Sequence, residues 1–379
     1  MSRRFPLSRP LRVMIVIGSG LFAVPTMALA QQPPTVALAG SKLPSEPLAA
    51  VASMAKAGEY LDRVALGWTN EKKCGSCHTN YPYLGARPAL GETSDRYAQV
   101  RTYFENRVVH WDDAAPESKP KWPAEVVLTA EGLARGDQAT TGTLHPITRQ
   151  ALDRMWTVQR ADGGFEWVKC DWYPLEYDDY YGAVVAALAV GHAPGGYAKT
   201  AKAKAGLERL RGYFAKNPAP VLHHRTMLLW ASCRVDGLMT EKDRQETIAA
   251  LRKLERPGGG WAVASLGDWD RRDGSPNDPD GPADAYATGL IAFALREAGV
   301  PAEDPALKRS VAWLLANQRS SGGWFTRSLN DDEHHYIAHA GSAYAVLALR
   351  ACGYQDGEPR MATKTIRARK LAATTAQPK

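Results

Sequence analysis

One pattern of apolar and polar positions recurs along the chain. In 159–191 a helical stretch ends at Gln159 and a turn, Asp162-Gly163-Gly164-Phe165, follows. Acidic residues come next, and then a run of small apolar residues from 182 to 191. The same order returns at 311–353, with Ser321-Gly322-Gly323-Trp324 as the turn and Asp331-Asp332-Glu333-His334-His335 behind it. It returns again at 248–299 around Gly258-Gly259-Gly260-Trp261. A degenerate copy lies between, with a polar amphipathic helix over 197–217, the turn Pro218-Ala219-Pro220 and a partner helix over 221–235. Each copy reads as a helical hairpin that cannot bury its own apolar face and so must stack on its neighbours.

Towards the N-terminus, Leu48, Val51, Met54, Ala55, Tyr60, Leu61 and Val64 sit three and four apart, which predicts a helix over about 46–68. Further helices are predicted at about 94–109 and 124–136, with a linker at 116–123. Thr240 with Asp243 makes a capping arrangement, and Asp304-Pro305 opens the last hairpin in the same way. The count is eleven or twelve helices in roughly six hairpins, and nothing reads as a sheet. The second helix of each clear hairpin is apolar nearly all round and belongs inside; the first keeps charges on one side and faces water. The prediction is an all-α fold, an α/α toroid with an inner ring of helices wrapped by an outer one. Parallel stacking puts every outer-to-inner turn at one rim. The acidic loops 171–179, 268–284 and 331–335 then gather with the loop 74–78.

Composition changes this picture little. The chain has 379 residues, 45% of them hydrophobic, enough for a packed core. Of the formal net charge of +7, four charges come from Arg3, Arg4, Arg9 and Arg12, which leaves +3. No basic run with interleaved aromatics occurs in the body, so nucleic acid is not an expected partner. Residues 1–30 have the layout of a secretory signal: the four arginines, an apolar run over 13–24, and Ala28-Leu29-Ala30 before Gln31. The expectation is an exported protein, periplasmic or secreted, with no stable membrane span after cleavage. Residues 31–47 read as a flexible lead-in, 48–145 as N-terminal hairpins, 146–354 as the clear repeats and 355–379 as a disordered tail.

The turns carry a resemblance. Gln159…Phe165, Gln318…Trp324 and Glu255…Trp261 resemble the QW repeats of squalene-hopene cyclases and related triterpene cyclases, over about 146–353. Tyr173-Pro174-Leu175-Glu176-Tyr177-Asp178-Asp179 is similar to their Asp-x-Asp-Asp motif, with Glu176 in the first acidic place. The resemblance implies an α/α toroid and a small hydrophobic or isoprenoid ligand. It makes Asp178 an acid that protonates a polyene double bond, with Glu176 and Asp179 tuning it. Carboxylates crowded together cannot all ionise, so one would stay protonated and able to act. Phe165, Trp167 and Trp172 would offer π faces to a carbocation. The plainer alternative is that Glu176, Asp178 and Asp179 cap the N-terminus of the inner helix, where carboxylates are favoured. Protein prenyltransferases share the fold; Asp284 and His339 match part of their zinc set, with Tyr286 in the place of its cysteine.

Five cysteines are too few for a disulfide scaffold. Cys74-Gly75-Ser76-Cys77-His78 is a complete Cys-x-x-Cys-His. Two thiols at this spacing can take up the vinyl groups of haem, with His78 on the iron, and the leader supplies the export that a c-type haem requires. The expected cofactor is haem c held by Cys74, Cys77 and His78, with a periplasmic redox partner. His110, His145, His334 and His335 are candidates for the sixth position. The alternatives are zinc on Cys74, Cys77, His78 and a rim histidine, or a structural pair of thiols. The paired His223-His224 reads as a helix cap or a polar core element, and the aspartates of 268–280 as a solvated loop. Three functions are therefore carried forward: a haem redox protein, a cyclase-like enzyme using Asp178, and a binding module without catalysis.

Overall fold

The computed structural model describes residues 43–91, 93–114 and 122–356. The signal sequence, most of the lead-in and nearly all of the C-terminal tail predicted above lie outside them. Among the described residues there are α-helices, short 3-10 turns and isolated β-bridges, and no strand.

The α-helices, in chain order, are α1 (Met54–Lys72), α2 (Asn80–Ala86), α3 (Asp95–Val109), the single turn α4 (Trp111–Ala114), α5 (Trp122–Thr140), α6 (Pro146–Met155), α7 (Asp179–His192), α8 (Ala201–Lys216), α9 (Leu222–Ser232), α10 (Glu241–Lys253), α11 (Ala285–Glu297), α12 (Pro305–Asn317) and α13 (Ile337–Ala351). Six of them, α2, α5, α7, α9, α11 and α13, pack side by side, and α13 returns to α2 to close the ring. The others, α4 aside, wrap it as α1, α3, α6, α8, α10 and α12. This is the predicted α/α toroid. The division follows from the side chains: every residue of α13 from Ile337 to Leu349 is buried, whereas α10 buries only Thr247 and Leu251.

Helix starts are set by small polar caps. Ser53, Ser94 and Thr200 accept from Lys56 N, Tyr97 N and Ala203 N. Thr240 and Asp243 form a reciprocal capping box. Asp178 and Asp284 cap the inner helices α7 and α11 through Tyr181 N and Ala287 N, both at 3.0–3.1 Å.

The Gly-Gly turns explain themselves once placed. In each copy the first turn residue donates back across the glycines: Arg160 to Gly164, Arg256 to Gly260 and Arg319 to Gly323. Gly163, Gly259 and Gly322 have φ of +93°, +88° and +94° and lie against a backbone carbonyl of the next outer helix. A Cβ at Gly163 would sit 2.1 Å from Arg209 O and one at Gly322 2.2 Å from Lys56 O, so both the dihedral and the space require glycine. The aromatic that follows is buried, and Trp261 and Trp324 each donate an indole N–H to the carbonyl ten residues earlier, Leu251 and Leu314, at 2.7 Å. Deleting a fully buried aromatic of this kind costs roughly 3–5 kcal/mol.

The recurring glutamine of the turn is a staple between hairpins. Gln159 Nε2 donates to Gly206 O on α8 at 3.1 Å while its Oε1 accepts from Arg209 at 2.9 Å. Glu255 takes the same place and holds Arg309 of α12. Gln318, from the last hairpin, donates to Ser53 O at 2.9 Å and accepts from Ser53 N at 2.6 Å, so it joins α12 to α1 and closes the ring. Residues 47–49 run beside this turn, with Ala49 N on Gln318 O and Ser320 N on Pro47 O. That pairing is why the first helix begins at Met54 rather than near Glu46. At the seam between α8 and α10 the turn is Pro218-Ala219-Pro220, with no glutamine to reach across, and a cleft of about 600 Å³ opens there, floored by Tyr180, Phe214, Leu228 and Met239.

Candidate functional site

The outer-to-inner turns meet at one rim, as predicted. Cys77 Sγ donates to Glu176 Oε1 at 2.5 Å. His78 stacks on Tyr336, 5.2 Å between centroids. Arg272 donates to Cys170 O and sits over Trp172, while Arg271 donates to Ser328 O. Tyr173 stacks on Trp269. Loops from four hairpins are thus tied edge to edge. The barrel axis beneath is filled: the space between Cys77, Tyr181, Trp230 and Tyr344 amounts to about 20 Å³, room for about one water.

The three acidic residues of the Asp-x-Asp-Asp-like motif do not share one environment. Glu176 faces Cys77. Asp179 is bound by Arg160 and, at 3.2 Å, by Lys169, and accepts from Trp167 N at 3.1 Å, so it fastens the Gly-Gly turn to its helix. Asp178 caps α7 with Oδ1 and sets Oδ2 2.9 Å from His224 Nε2, a close and bent contact. Its carboxyl is held below the ordinary range: burial pushes it up, but the close imidazole of His224 and the Tyr181 N–H outweigh that. Crowding of like charges, the reason advanced from the sequence for a protonated Asp178, is therefore replaced by pairing with a histidine. Asp178 thus caps α7 with one oxygen and faces His224 with the other.

His224 belongs to a buried chain. Its Nδ1 lies 2.9 Å from His223 Nδ1, and His223 Nε2 lies 2.9 Å from Tyr286 O–H. Both histidines are 0% exposed. Burial, then the neighbouring His224, push His223 well below the usual imidazole range. Tyr177, Tyr180 and Tyr181 surround His224, with ring centroids 5.2, 6.0 and 5.5 Å away. Phe165, Trp167 and Trp172 are elsewhere: Phe165 is fully buried in the turn, the Trp167 indole donates to Leu175 O at 2.8 Å, and Trp172 lies at the rim by His334. Of the two readings of His223 and His224, helix cap and polar core element, the buried chain is the second. The available signal was two imidazoles in the first turn of an otherwise apolar inner helix.

The Cys-x-x-Cys-His loop is divided. Cys74 is exposed and Cys77 buried. Burial, then the Glu176 carboxylate, push the Cys77 thiol well above its usual range. His78 Nδ1 is engaged with Thr79 Oγ1 at 2.8 Å, and Thr79 Oγ1 in turn meets His339 Nδ1 at 2.8 Å. The His78 ring is held between Trp68 and Tyr336, and burial, then His339, bring it down to about 3. The space beside Cys77, His78, Trp172 and His334 is about 20 Å³. The residues packed in this way do not fit a porphyrin, since the two thiols face different surroundings and His78 has no room before it. Of the suggested sixth ligands, His334 stands near this loop, His335 accepts from Ser328 N, and His110 and His145 contact Asp113 and Glu105. Among the described residues no group of three or more His, Cys, Asp or Glu is placed to hold a metal ion. His339 is buried and Asp284 half-buried, with Asp284 bound to backbone N–H groups of α11 and of residue 263.

The ring of hairpins and its stapled turns define an all-α toroid. Residues 233–369 match the family described as squalene-hopene cyclase C-terminal domain. The chain is similar to a squalene–hopene cyclase of Bradyrhizobium diazoefficiens, 25% identical over 308 residues, which cover 68% of this chain and 44% of that one. It is also similar to lanosterol synthase erg7A of Aspergillus fumigatus, 27% identical over 132 residues, or 33% of this chain and 15% of that one. The chain spans less than half the length of these curated relatives. A solved glycosidase overlays 78% of the chain at a TM-score of 0.43 and 12% identity, too little to bear on fold or function. Among the described residues no helix is long and apolar enough to cross a membrane.

Proposed function

We propose that the protein is a Brønsted-acid enzyme acting on an apolar polyene, with Asp178 as the proton donor and His224 as its partner. The observation that carries this reading is the 2.9 Å contact between Asp178 Oδ2 and His224 Nε2 at the rim, where the aspartate side chain keeps 23% exposure and can be reached. The substrate class comes from the relatives, which are named as a squalene–hopene cyclase and a lanosterol synthase.

In the proposed step the carboxyl proton of Asp178 moves to one carbon of a C=C bond. The π pair becomes the new C–H bond, the adjacent carbon becomes cationic, and the aspartate is left as a carboxylate facing His224. Tyr177, Tyr180 and Tyr181 present π faces that stabilise positive charge nearby. Loss of a proton from the product cation completes the balance. A carboxyl held below its ordinary range is a stronger acid but carries its proton in a smaller fraction of molecules. Turnover should therefore rise as the pH is lowered towards the carboxylate range, for as long as the fold persists.

The test is incubation of the full chain with detergent-dispersed squalene and analysis of cyclised products. Asp178→Asn keeps the cap acceptor and removes the acid, so product should vanish while the circular-dichroism spectrum is retained. A folded Asp178→Asn protein with undiminished turnover, or a wild type faster at pH 8 than at pH 5, overturns the proposal.

A further inference from the structure

A cavity of about 330 Å³ lies at the rim where the α10–α11 hairpin meets the α12–α13 hairpin. Its walls are tied together. Arg271 donates to Ser328 O at 2.8 Å, Arg272 N to Asn330 O at 3.0 Å and Asn277 Nδ2 to Leu329 O at 3.3 Å, so the 268–284 loop is held against 328–330. A pocket already held in this way spends little on ordering when a ligand enters. Part of the lining is apolar. Val263 and Leu329 are buried there, and the rings of Trp313 and Phe325 are half-buried. Among the described residues the Trp313 ring meets no other ring and its indole N–H meets no acceptor. The indoles of Trp261 and Trp324, by contrast, are engaged with backbone carbonyls.

The polar lining is of both kinds. The amides of Asn277 and Asn317 donate through Nδ2 to Trp269 O at 2.6 Å and to Trp313 O at 2.8 Å. Those bonds fix how each amide is turned, and each keeps its Oδ1 as an acceptor. Arg319 donates to Glu46 O at 3.0 Å, lies over Phe325 and forms no ion pair among the described residues. Its other N–H groups and that of Trp313 are donors. This mixture separates ligand classes. A hydrocarbon would bury the amide oxygens, the indole N–H and the guanidinium without partners. An anion meets the Asp278 carboxylate and a cation meets Arg319, both on the walls of the same cavity. A neutral ring carrying several hydroxyls satisfies the whole set. Each of its O–H groups donates and accepts, and its C–H face packs on an aromatic one. We infer that this cavity is a binding site for a neutral sugar, with Trp313 and Phe325 as its platform and Asn277, Asn317 and Arg319 as its hydrogen-bonding partners. The inference does not rest on the reading of Asp178, which belongs to another hairpin.

The test follows the tryptophan indole ¹H–¹⁵N signals of the full-length protein, with Trp313→Phe identifying the signal of Trp313. The probes are maltose, cellobiose and N,N′-diacetylchitobiose, each added up to its solubility. At least one of them should move the Trp313 signal along a saturating curve, while Trp111 and Trp156, which do not line the cavity, stay in place. Asn317→Ala removes one acceptor from the end of an outer helix and should weaken that binding about tenfold, the worth of one hydrogen bond. A Trp313 signal that none of the sugars moves overturns the inference. So does a shift shared by all the indoles, an unchanged affinity in folded Asn317→Ala, or a response to glycine betaine or butyrate in place of the sugars. The wild-type titration decides even where a variant fails to fold, the Trp313 signal then being assigned by triple-resonance spectra. Squalene turnover is not read, so this result and that of the Asp178→Asn assay stand or fall separately.

Discussion

Gln318→Leu should cost far more than its place in a surface turn suggests. The side chain is 1% exposed and makes three hydrogen bonds, to Gly322 O, Ser53 O and Ser53 N, two of them across the junction between the last hairpin and the first. Leucine keeps the volume and removes all three. A net hydrogen bond is worth about 1 kcal/mol, and a buried group left without a partner costs about 1–3. Ser53 O retains a second bond from Ala57 N, so part of the loss is spared. The sum is roughly 2–3 kcal/mol, or about 30- to 150-fold in an opening equilibrium. The matched control is Glu255→Leu at the junction of α10 with α12. There the partner Arg309 is 49% exposed, and an exposed ion pair is worth about 0–1 kcal/mol. Urea unfolding gives the global difference, and amide exchange in the first turn of α1 gives the local one. If Gln318→Leu proves no more damaging than Glu255→Leu, with α1 exchanging at the wild-type rate, the staple account is refuted.

Two other outcomes follow from buried groups. Asp284 is raised to about 6 because burial outweighs the backbone N–H groups that face it. A raised carboxyl favours the folded state fully below the unfolded value of 3.8, and that contribution disappears as the pH climbs through about 6. The gap corresponds to about 3 kcal/mol, and carboxyl ¹³C NMR should find the Asp284 midpoint near 6; a midpoint near 4 contradicts it. At the Cys-x-x-Cys-His loop, Cys77 is committed to Glu176 and His78 to Thr79. Protein exported to a periplasm competent for haem attachment should then show no Soret band, and a band lost on Cys77→Ala would reinstate haem c.

Much of the architecture could be read from periodicity. Hairpin stacking, buried second helices, the cap at Thr240 and the common rim all follow from short-range pattern, because a helix face and a capping box are local facts. What failed was whatever depends on residues brought together from far apart. The start of α1 was misplaced because Pro47 and Ala49 pair with a turn some 270 positions later. For His223 and His224 the sequence left a cap and a polar core element open; the core element is what is found, and its partners, Asp178 and Tyr286, come from other hairpins. Glu176, Asp178 and Asp179 looked like one acidic cluster. Neighbours along a non-helical stretch point apart, and each found a different partner: Cys77, His224 and Arg160. The five-residue cysteine motif names a chemistry, but its exposure, its space and the company of Glu176 are properties of the fold.

Closure of the ring has a topological consequence. Asp356, just beyond the last inner helix, accepts from Met54 N at 2.8 Å at the start of the first outer one, so the two ends of the wheel touch and the wheel has no intrinsic beginning. A short linker could join them, and the chain could be cut instead at Pro218-Ala219-Pro220, a seam that no glutamine stitches. A permuted protein of that kind would carry the same rim, with Asp178 and His224 now near opposite ends of the polypeptide.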